Sequence, residues 1–299
     1  MAFAVFWLLL YQSYEGILEE LSAESCSPRS VHLAAPPQSA SRSSEQFYEM
    51  AQQLGDLQAP VLHGRHRKLC DEQLGRKREW EYCLPISGRM DLPFCELPDR
   101  VDVLSRQRSS LCYGSVLHML LIDVYEVFQE RGVKPALLYG TMLGAFRNGS
   151  TIPFTEDADL GYQPDKSTIQ ELRDALWIRG YHMFHYGIGR ICIAPTHPLA
   201  SLLYDPRKRI TTEYSVPYVD LYMMIPVGGS QWRVQLTKDK RFIPHAKFEP
   251  YSQLQLNNVT YDTLADPVDF LVHEYGDDYM VPKRTLNWFW TIVSYVWPL

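Results

Sequence analysis

The sequence predicts an α/β or α+β fold, a mixed sheet flanked by helices, for residues 111–285. Short apolar runs typical of strands alternate there with longer runs of helical period. Apolar residues make up 46% of the 299-residue chain, which is enough for a sizeable core in one large domain. Residues 26–46 are rich in Ser, Pro and Ala and have no sustained period, so we expect an irregular N-terminal extension.

The first regular elements lie between residues 111 and 149. A helical period places apolar residues at positions 117, 120, 121, 124, 127 and 128, and Gly132 is expected to end this helix. The run "PALLY", 135–139, reads as a short buried strand. The run "GTMLGAFRNG", 140–149, reads as a turn that enters a short helix.

The later elements continue the alternation. Helices are predicted over 167–180, capped by Ser167 or Thr168, and over 267–276. Strands are predicted over 155–162, 181–186, 190–194, 218–226 and 230–236, the second and third of these forming a hairpin around Gly187 and Gly189.

Composition divides the chain into four parts. Residues 1–22 resemble a secretory signal or a clipped anchor, because their first eleven residues are wholly apolar but shorter than the roughly 20 that a membrane span needs. A buried N-terminal strand or helix is the alternative. Residues 23–59 have the composition of a stem, 60–110 form an irregular segment with clustered cysteines, and 111–299 form the main domain.

The six cysteines leave two readings open. Four of them fall between residues 70 and 112, and no CxxC pair or Cys/His quartet is present, so a zinc site is disfavoured. Disulfides in an oxidising compartment and buried free thiols remain as alternatives. The pairing cannot be read from the sequence.

The net charge limits the class of partner. A formal charge of -6 is opposite to the basic stripe that polynucleotide binding requires, so we expect no nucleic-acid partner. A small anionic substrate is still allowed, because local arginines or a metal ion can overcome a mildly acidic average.

The chemistry is concentrated in residues 137–162. Gly140 and Thr141 follow a strand and open a helix, where free backbone N–H groups bind phosphate readily. Asp157 and Asp159 are two residues apart on the next strand, so both carboxylates point to one face. Such a pair repels itself unless a cation lies between them, and oxygen ligands suit Mg²⁺ or Mn²⁺. The pattern therefore predicts a metal-nucleotide site.

The run "GTMLGAFRNGSTIPFTEDADLG" resembles the LicD/fukutin family. That family has Gly-Thr-x-x-Gly-x-x-Arg, then Ile-Pro-Trp and an acidic cluster that ends in Asp-x-Asp. The resemblance continues in "YVDLYMMI" and "DPVDFLVHEYGDDYMVP" and covers roughly 115–282. Phe154 and Thr155 stand where the family has Trp-Asp, and Ala158 replaces a β-branched residue.

The resemblance implies a nucleotidyltransferase-like fold and a transferase. Its members move phosphocholine, ribitol phosphate or a similar group from a CDP-activated donor to a glycan hydroxyl. The matching positions imply that Asp157, Asp159 and Asp220 bind Mg²⁺ or Mn²⁺, with Asp220 either completing the metal site or deprotonating the hydroxyl.

Two arginines are candidates for donor contact. Arg147 belongs to the family motif, and its planar guanidinium matches phosphate oxygens. Arg190 lies on a strand that is predicted beside the site. With Gly140 and Thr141, these residues form the predicted donor-binding set.

Other functions remain as alternatives. A glycosyltransferase could use the Asp-x-Asp pair with a nucleotide sugar, and an inactive family member could act as a binding module. A template-independent RNA nucleotidyltransferase is disfavoured by the acidic balance. The signal-like N-terminus favours the secretory pathway, in the Golgi lumen or at its membrane, and there the sequon at Asn258 is a better glycosylation candidate than the one at Asn148.

Overall fold

The structure is a computed structural model that describes residues 24–33, 42–104, 111–163 and 166–282. The signal-like segment 1–22 lies outside these residues. Among the helices that are described, none combines the length and the apolar character that crossing a membrane requires.

A mixed sheet forms the centre of the described part of the chain and confirms the predicted fold class. Its nine strands are β3 (Ala136–Leu137), β4 (Asp157–Tyr162), β5 (Tyr181–Tyr186), β6 (Ile188–Ile193), β7 (Tyr218–Val227), β8 (Gln231–Val234), β9 (Ile243–Pro244), β10 (Ser252–Leu256) and β11 (Val259–Thr263). Their order is β10-β11-β3-β4-β7-β6-β5, and β8 pairs with β7 and with β9. Pairs β11–β3 and β4–β7 are parallel and the others are antiparallel. A separate two-stranded ladder pairs β1 (Ser25–Cys26) with β2 (Leu62–His63).

Helices flank this sheet. They are α1 (Arg42–Gln53), α2 (Glu72–Gly75), α3 (Tyr113–Glu130), α4 (Tyr139–Asn148), α5 (Lys166–Trp177), α6 (Ala200–Leu203), α7 (His245–Phe248) and α8 (Pro267–Tyr275). Short 3-10 turns cover Gly64–Cys70, Trp80–Tyr82, Arg100–Leu104 and Lys238–Lys240.

Helix α3 is the central packing element. Leu117, Leu120 and Leu121 are among its many buried residues. The chain leaves the helix through Gly132, whose φ of 71° places it in the left-handed region that glycine tolerates best. The predicted end of this helix is therefore confirmed. Helix α5 differs slightly from expectation, since it begins at Lys166 and so includes the predicted cap positions in its first turn.

The hairpin β10–β11 is a finding that the sequence analysis did not predict. Asn257 and Asn258 form its turn with φ values of 49° and 65°, a conformation that asparagine adopts more easily than most residues. The Asn257 side chain fixes the turn, because its amide donates to Thr151 Oγ1 at 2.8 Å and its carbonyl accepts from the Thr151 backbone N–H at 3.1 Å.

Part of the expected stem is helical. Helix α1 lies within residues 23–59 and buries Phe47, Tyr48 and Ala51 in the same hydrophobic core as α3. An amphipathic pattern at 47, 48 and 51 was the available signal, but the composition of the preceding residues obscured it.

All six cysteines of the chain form disulfides, so the free-thiol alternative is wrong. The pairs are Cys26–Cys70, Cys83–Cys192 and Cys95–Cys112. Cys83–Cys192 joins the irregular segment to strand β6 of the central sheet. Residues 60–104 are thus covalently attached to the domain that follows.

Candidate active site

Two parallel strands bring three aspartates together at the centre of the sheet. In the register of β4 and β7, Asp159 lies opposite Asp220 and Asp157 lies opposite Tyr218. One carboxylate oxygen from each of Asp157, Asp159 and Asp220 lies within 4.8 Å of the other two. The predicted metal-site residues therefore form one cluster.

Strand alternation explains why all three point to one face. Asp157 and Asp159 flank Ala158, which points to the other side, where it lines a small cavity with Leu117 and Leu121 of α3. One face of β4 is thus occupied by the helix, and the carboxylates are on the face opposite to it.

Asp159 is held by the start of helix α4. Its Oδ2 accepts from the Thr141 backbone N–H at 3.1 Å and from the Thr141 hydroxyl at 3.4 Å, while its own backbone N–H donates to Thr141 Oγ1 at 2.7 Å. A Cβ at position 140 would lie 3.2 Å from Asp159 Oδ2, which is why glycine fits this close approach. The Gly-Thr turn, which the sequence analysis assigned to phosphate binding, positions an aspartate in the structure.

The turn itself is strained. Tyr139 has φ 41°, an uncommon value for a residue other than glycine, asparagine or aspartate. Its hydroxyl donates to the Gln235 carbonyl at 2.7 Å, and its ring packs against Tyr222 with centroids 4.4 Å apart. These contacts hold the chain in the conformation that aims Thr141 at Asp159.

Asp157 has different partners. Its Oδ1 accepts from the Thr155 hydroxyl at 3.0 Å, and its Oδ2 accepts from Tyr218 at 3.3 Å. Thr155 occupies the position where the family has an aspartate. This chain therefore replaces a fourth acidic group with a hydrogen-bond donor to the first carboxylate of the trio.

Asp220 is paired with Arg190. These residues are directly opposite each other on β7 and β6, and Arg190 Nε lies 2.9 Å from Asp220 Oδ1. The two atoms are not aligned as a hydrogen bond, so the contact is an ion pair. Arg190 also donates from Nη1 to the Tyr186 carbonyl. The row Asp159–Asp220–Arg190 thus crosses three adjacent strands.

The electrostatics favour a cation at this cluster. Burial, and then the charges of Asp157 and Asp220, raise the pKa of Asp159 to about 8. Burial also raises the pKa of Asp220 to about 7, although the Arg190 guanidinium opposes that shift. Ionising both groups is costly without a counter-charge, and three convergent carboxylate oxygens are the donor set that Mg²⁺ or Mn²⁺ prefers. The residues present therefore fit a divalent ion.

The predicted site residues divide into two groups. Asp157, Asp159, Asp220, Gly140, Thr141 and Arg190 come together around one face of β4, β7 and β6. Arg147 is used differently, because its guanidinium donates to the backbone carbonyls of Tyr279, at 2.7 Å from Nε, and of Val281, at 3.3 Å from Nη2. This arginine anchors the segment after α8, and that contact uses donors that the sequence analysis assigned to phosphate.

Sequence reasoning missed several partners of the aspartates. Tyr222 donates to Asp159 Oδ1 at 3.0 Å and lies 3.5 Å from Asp220 Oδ2. Tyr218 and Tyr222 are each two residues from Asp220, so the alternation in "YVDLY" was a signal that could have found them. No pattern near Asp220 or Arg190 could have indicated Trp80, which packs near Arg190 but is distant from it in the sequence.

Comparison with known proteins agrees with this site. Residues 132–263 match the family described as LicD/FKTN/FKRP, nucleotidyltransferase domain. A 90-residue stretch is 31% identical to an uncharacterized protein of Rickettsia typhi and covers 30% of this chain and 29% of that relative. The chain therefore spans well under two thirds of that relative's length.

The matched range contains the Gly-Thr turn, all three aspartates and Arg190. The resemblance stated from the motifs is confirmed. Over residues 132–263 the chain is similar to the nucleotidyltransferase domain of the LicD family, which supports a phospho-substituent transferase in general.

Proposed function

We propose that this protein is a metal-dependent transferase that moves a phospho-substituent from a CDP-linked donor to a glycan hydroxyl. The observation that carries the proposal is the row of Asp159, Asp220 and Arg190 in strand register, with Asp157 beside it, inside a LicD domain. In this row the carboxylates, which attract a cation, lie next to the Arg190 guanidinium, which attracts an anion.

Asp157, Asp159 and Asp220 are the residues that would hold Mg²⁺ or Mn²⁺. When bound, the ion would supply the positive charge that a diphosphate and its leaving nucleoside monophosphate require. The protein's own contribution is to fix the three carboxylates. Thr141 and Tyr222 fix Asp159, whereas Thr155 and Tyr218 fix Asp157.

Arg190 supplies the fixed positive charge on the protein side. Its side chain is 8% exposed, and a guanidinium in such a position interacts with a phosphate more strongly than one in water. The acceptor hydroxyl would attack the phosphorus in line with the leaving nucleoside monophosphate.

A ligand-binding screen tests this function. We expect Mn²⁺ together with CDP-ribitol, CDP-glycerol or CDP-choline to raise the melting temperature of the purified protein, and the shift to be lost in Asp159→Asn. Stabilisation by UDP-sugars or GDP-mannose in place of the CDP compounds would favour the nucleotide-sugar glycosyltransferase. Absence of any response in a folded protein would favour the binding module.

We also propose that the protein works in an oxidising lumen of the secretory pathway. Three disulfides and an exposed sequon support this location, because Asn258 lies at the tip of the β10–β11 turn with its side chain in solvent. In the other sequon, Ser150 is 8% exposed and donates to the Glu96 carbonyl. Expression in a secreting eukaryotic cell should give one glycan that Asn258→Gln removes and Asn148→Gln does not. A chain recovered without glycan and with reduced cysteines would contradict the proposed location.

A further inference from the structure

A group of aromatic side chains surrounds the guanidinium of Arg190. The Arg190 Cζ lies 5.5 Å from the ring centroid of Trp80, 5.6 Å from that of Tyr186 and 5.1 Å from that of Tyr214. Cations at these distances from aromatic rings are attracted to them, and more so where water is excluded. We call these three rings the aromatic box.

Trp80 is the best fixed member of the box. Its side chain is 1% exposed and packs against Phe184 at 5.0 Å, Tyr218 at 4.9 Å and Tyr214 at 5.1 Å between ring centroids. Within the part of the chain that the structure describes, its Nε1 has no hydrogen-bond partner. Trp80 therefore acts through its ring and not through its N–H.

A disulfide brings Trp80 to this place. Cys192 is two residues from Arg190 on β6, so both side chains lie on the same face of the sheet. Cys83 is bonded to Cys192 and follows the short 3-10 turn Trp80–Tyr82. The cystine thus fixes that turn directly over the face that carries Arg190, and Trp80, Cys83 and Cys192 belong to one buried cluster.

The strained backbone of Tyr214 is a second observation that indicates a binding function for the aromatic box. Tyr214 has φ 39°, which is unfavourable for an aromatic residue, and the residue is 38% exposed. Strained residues of this kind concentrate at binding sites, where the surrounding structure compensates for their cost.

The charges at the site indicate the function of the aromatic box. Three carboxylates and one divalent cation leave net negative charge, and a nucleoside diphosphate brings more. Arg190 is the cation that offsets this excess, but it also competes with a metal ion for Asp220. Loss of Arg190 from its place should therefore weaken the binding of the anionic donor without weakening the binding of the metal ion.

We infer that Trp80, which lies outside the matched LicD domain, is a positioning residue for the donor: it holds Arg190 in the aromatic box beside Asp220, where the guanidinium offsets the charge of a bound nucleoside diphosphate. This inference rests on the proposed function, because it concerns the donor of that same site. It also assigns a role to residues 80–83, which the family match does not cover.

The test compares two affinities in the full-length protein. The dissociation constant of CDP is measured by calorimetry with saturating Mn²⁺, and that of Mn²⁺ is measured by electron paramagnetic resonance of the free ion. For Trp80→Leu we expect CDP to bind about tenfold more weakly and Mn²⁺ to bind within about threefold of the wild-type affinity. Trp80→Phe keeps an aromatic ring and should restore most of the CDP affinity.

Three further variants separate positioning from folding. Trp232→Leu removes another buried tryptophan, which stacks on Phe248 at 4.1 Å, and should leave CDP affinity unchanged. Arg190→Gln should weaken CDP binding at least as much as Trp80→Leu, and the double variant no more than Arg190→Gln alone, because Trp80 acts through Arg190. If Trp80→Leu does not fold, Tyr214→Leu removes a partly exposed ring of the same box and is expected to weaken CDP binding in the same direction.

Two results would overturn the inference. One is unchanged CDP affinity in Trp80→Leu, and the other is an equal loss of CDP and Mn²⁺ affinity, which would mean a general collapse of the site. A wild-type protein that binds Mn²⁺ but not CDP would instead refute the proposed CDP-linked donor.

Discussion

The matched domain and the segment before it build their parts of the site in different ways. In residues 132–263 the functional side chains are placed by strand register, which puts Asp159, Asp220 and Arg190 in one row. In residues 62–104 the structure consists of the two-residue strand β2, the single-turn helix α2 and short 3-10 turns, and Trp80 is placed by a disulfide and by ring packing. The face to which a side chain on a strand points can be read from local spacing, whereas a cross-link between distant residues cannot.

The largest expected effect lies in the matched domain. Asp159→Asn keeps the size of the side chain and removes a charge from the cluster, so transfer activity should fall by about two orders of magnitude or more. The variant should unfold at a higher temperature than the wild type without metal, because the raised pKa of Asp159 shows that its charge is unfavourable there. Asp262→Asn, on strand β11 and outside the trio, is the control and should retain activity. Near-normal turnover in Asp159→Asn would contradict the assignment of Asp159 as a metal ligand.

The second largest effect concerns the disulfides that attach residues 60–104 to the rest of the structure. Cys83 and Cys192 are 109 residues apart, whereas Cys95 and Cys112 are 17 apart. Chain-entropy arguments give about 5 kcal/mol of stabilisation for a loop of the first size and about 3 for the second. Double serine variants of each pair, unfolded in urea under non-reducing conditions, should show the larger loss of stability for Cys83 and Cys192. A larger loss for the other pair would mean that the segment is held mainly by packing.

Buried histidines give the stability a pH dependence in both regions, since His66 lies in the preceding segment and His182 and His197 lie in the matched domain. Burial lowers the pKa of His118 and of His197 to about 3 and that of His182 to about 4. His182 Nε2 also donates to the Arg78 carbonyl, 2.8 Å away, and so joins β5 to the preceding segment.

The direction in which stability changes with pH follows from the number of protons that each state binds. Below the ordinary histidine pKa of 6.5 the unfolded chain binds protons at these histidines that the folded chain does not, so they lower the free energy of unfolding as the pH falls towards 4. Each histidine contributes about 1 kcal/mol per pH unit in that window. The raised pKa values of Asp159 and Asp220 act in the opposite direction, because the folded state binds protons at those carboxyls first. Urea titrations of the wild type and of His182→Phe at pH 7.5, 6 and 5 isolate the histidine, since both proteins share the two carboxyls. The variant should lose less stability than the wild type as the pH falls. An identical pH dependence in the two proteins would contradict burial of His182 in neutral form.

The smallest effect concerns Arg147. Since its guanidinium donates to the carbonyls of Tyr279 and Val281, Arg147→Gln should destabilise the attachment of the segment after α8, by about 1–3 kcal/mol. CDP affinity should change by less than about threefold, in contrast with Arg190→Gln. Hydrogen exchange of residues 276–282 and calorimetry with CDP measure the two quantities. A large loss of CDP affinity in Arg147→Gln would mean that Arg147 contacts the donor phosphate, as the motif predicts.

The central strands and the common face of Asp157 and Asp159 could be predicted from the sequence, because alternation along a strand is a local property. Asp220 required the family resemblance, since nothing near it indicates which strand it would pair with. The hairpin around Asn257 was missed because its strands are mostly polar. The use of Arg147 could not be foreseen, because its partners are backbone carbonyls more than 130 residues away.

The contact between Trp80 and Arg190 has an evolutionary consequence. The two positions are 110 residues apart in the chain, yet each is the other's immediate neighbour. A lineage that loses the tryptophan leaves the arginine without the ring that holds it, whereas the cystine still attaches the preceding segment to strand β6. Positions 80 and 190 should therefore be inherited or replaced as a pair, even though the boundary of the recognised domain runs between them.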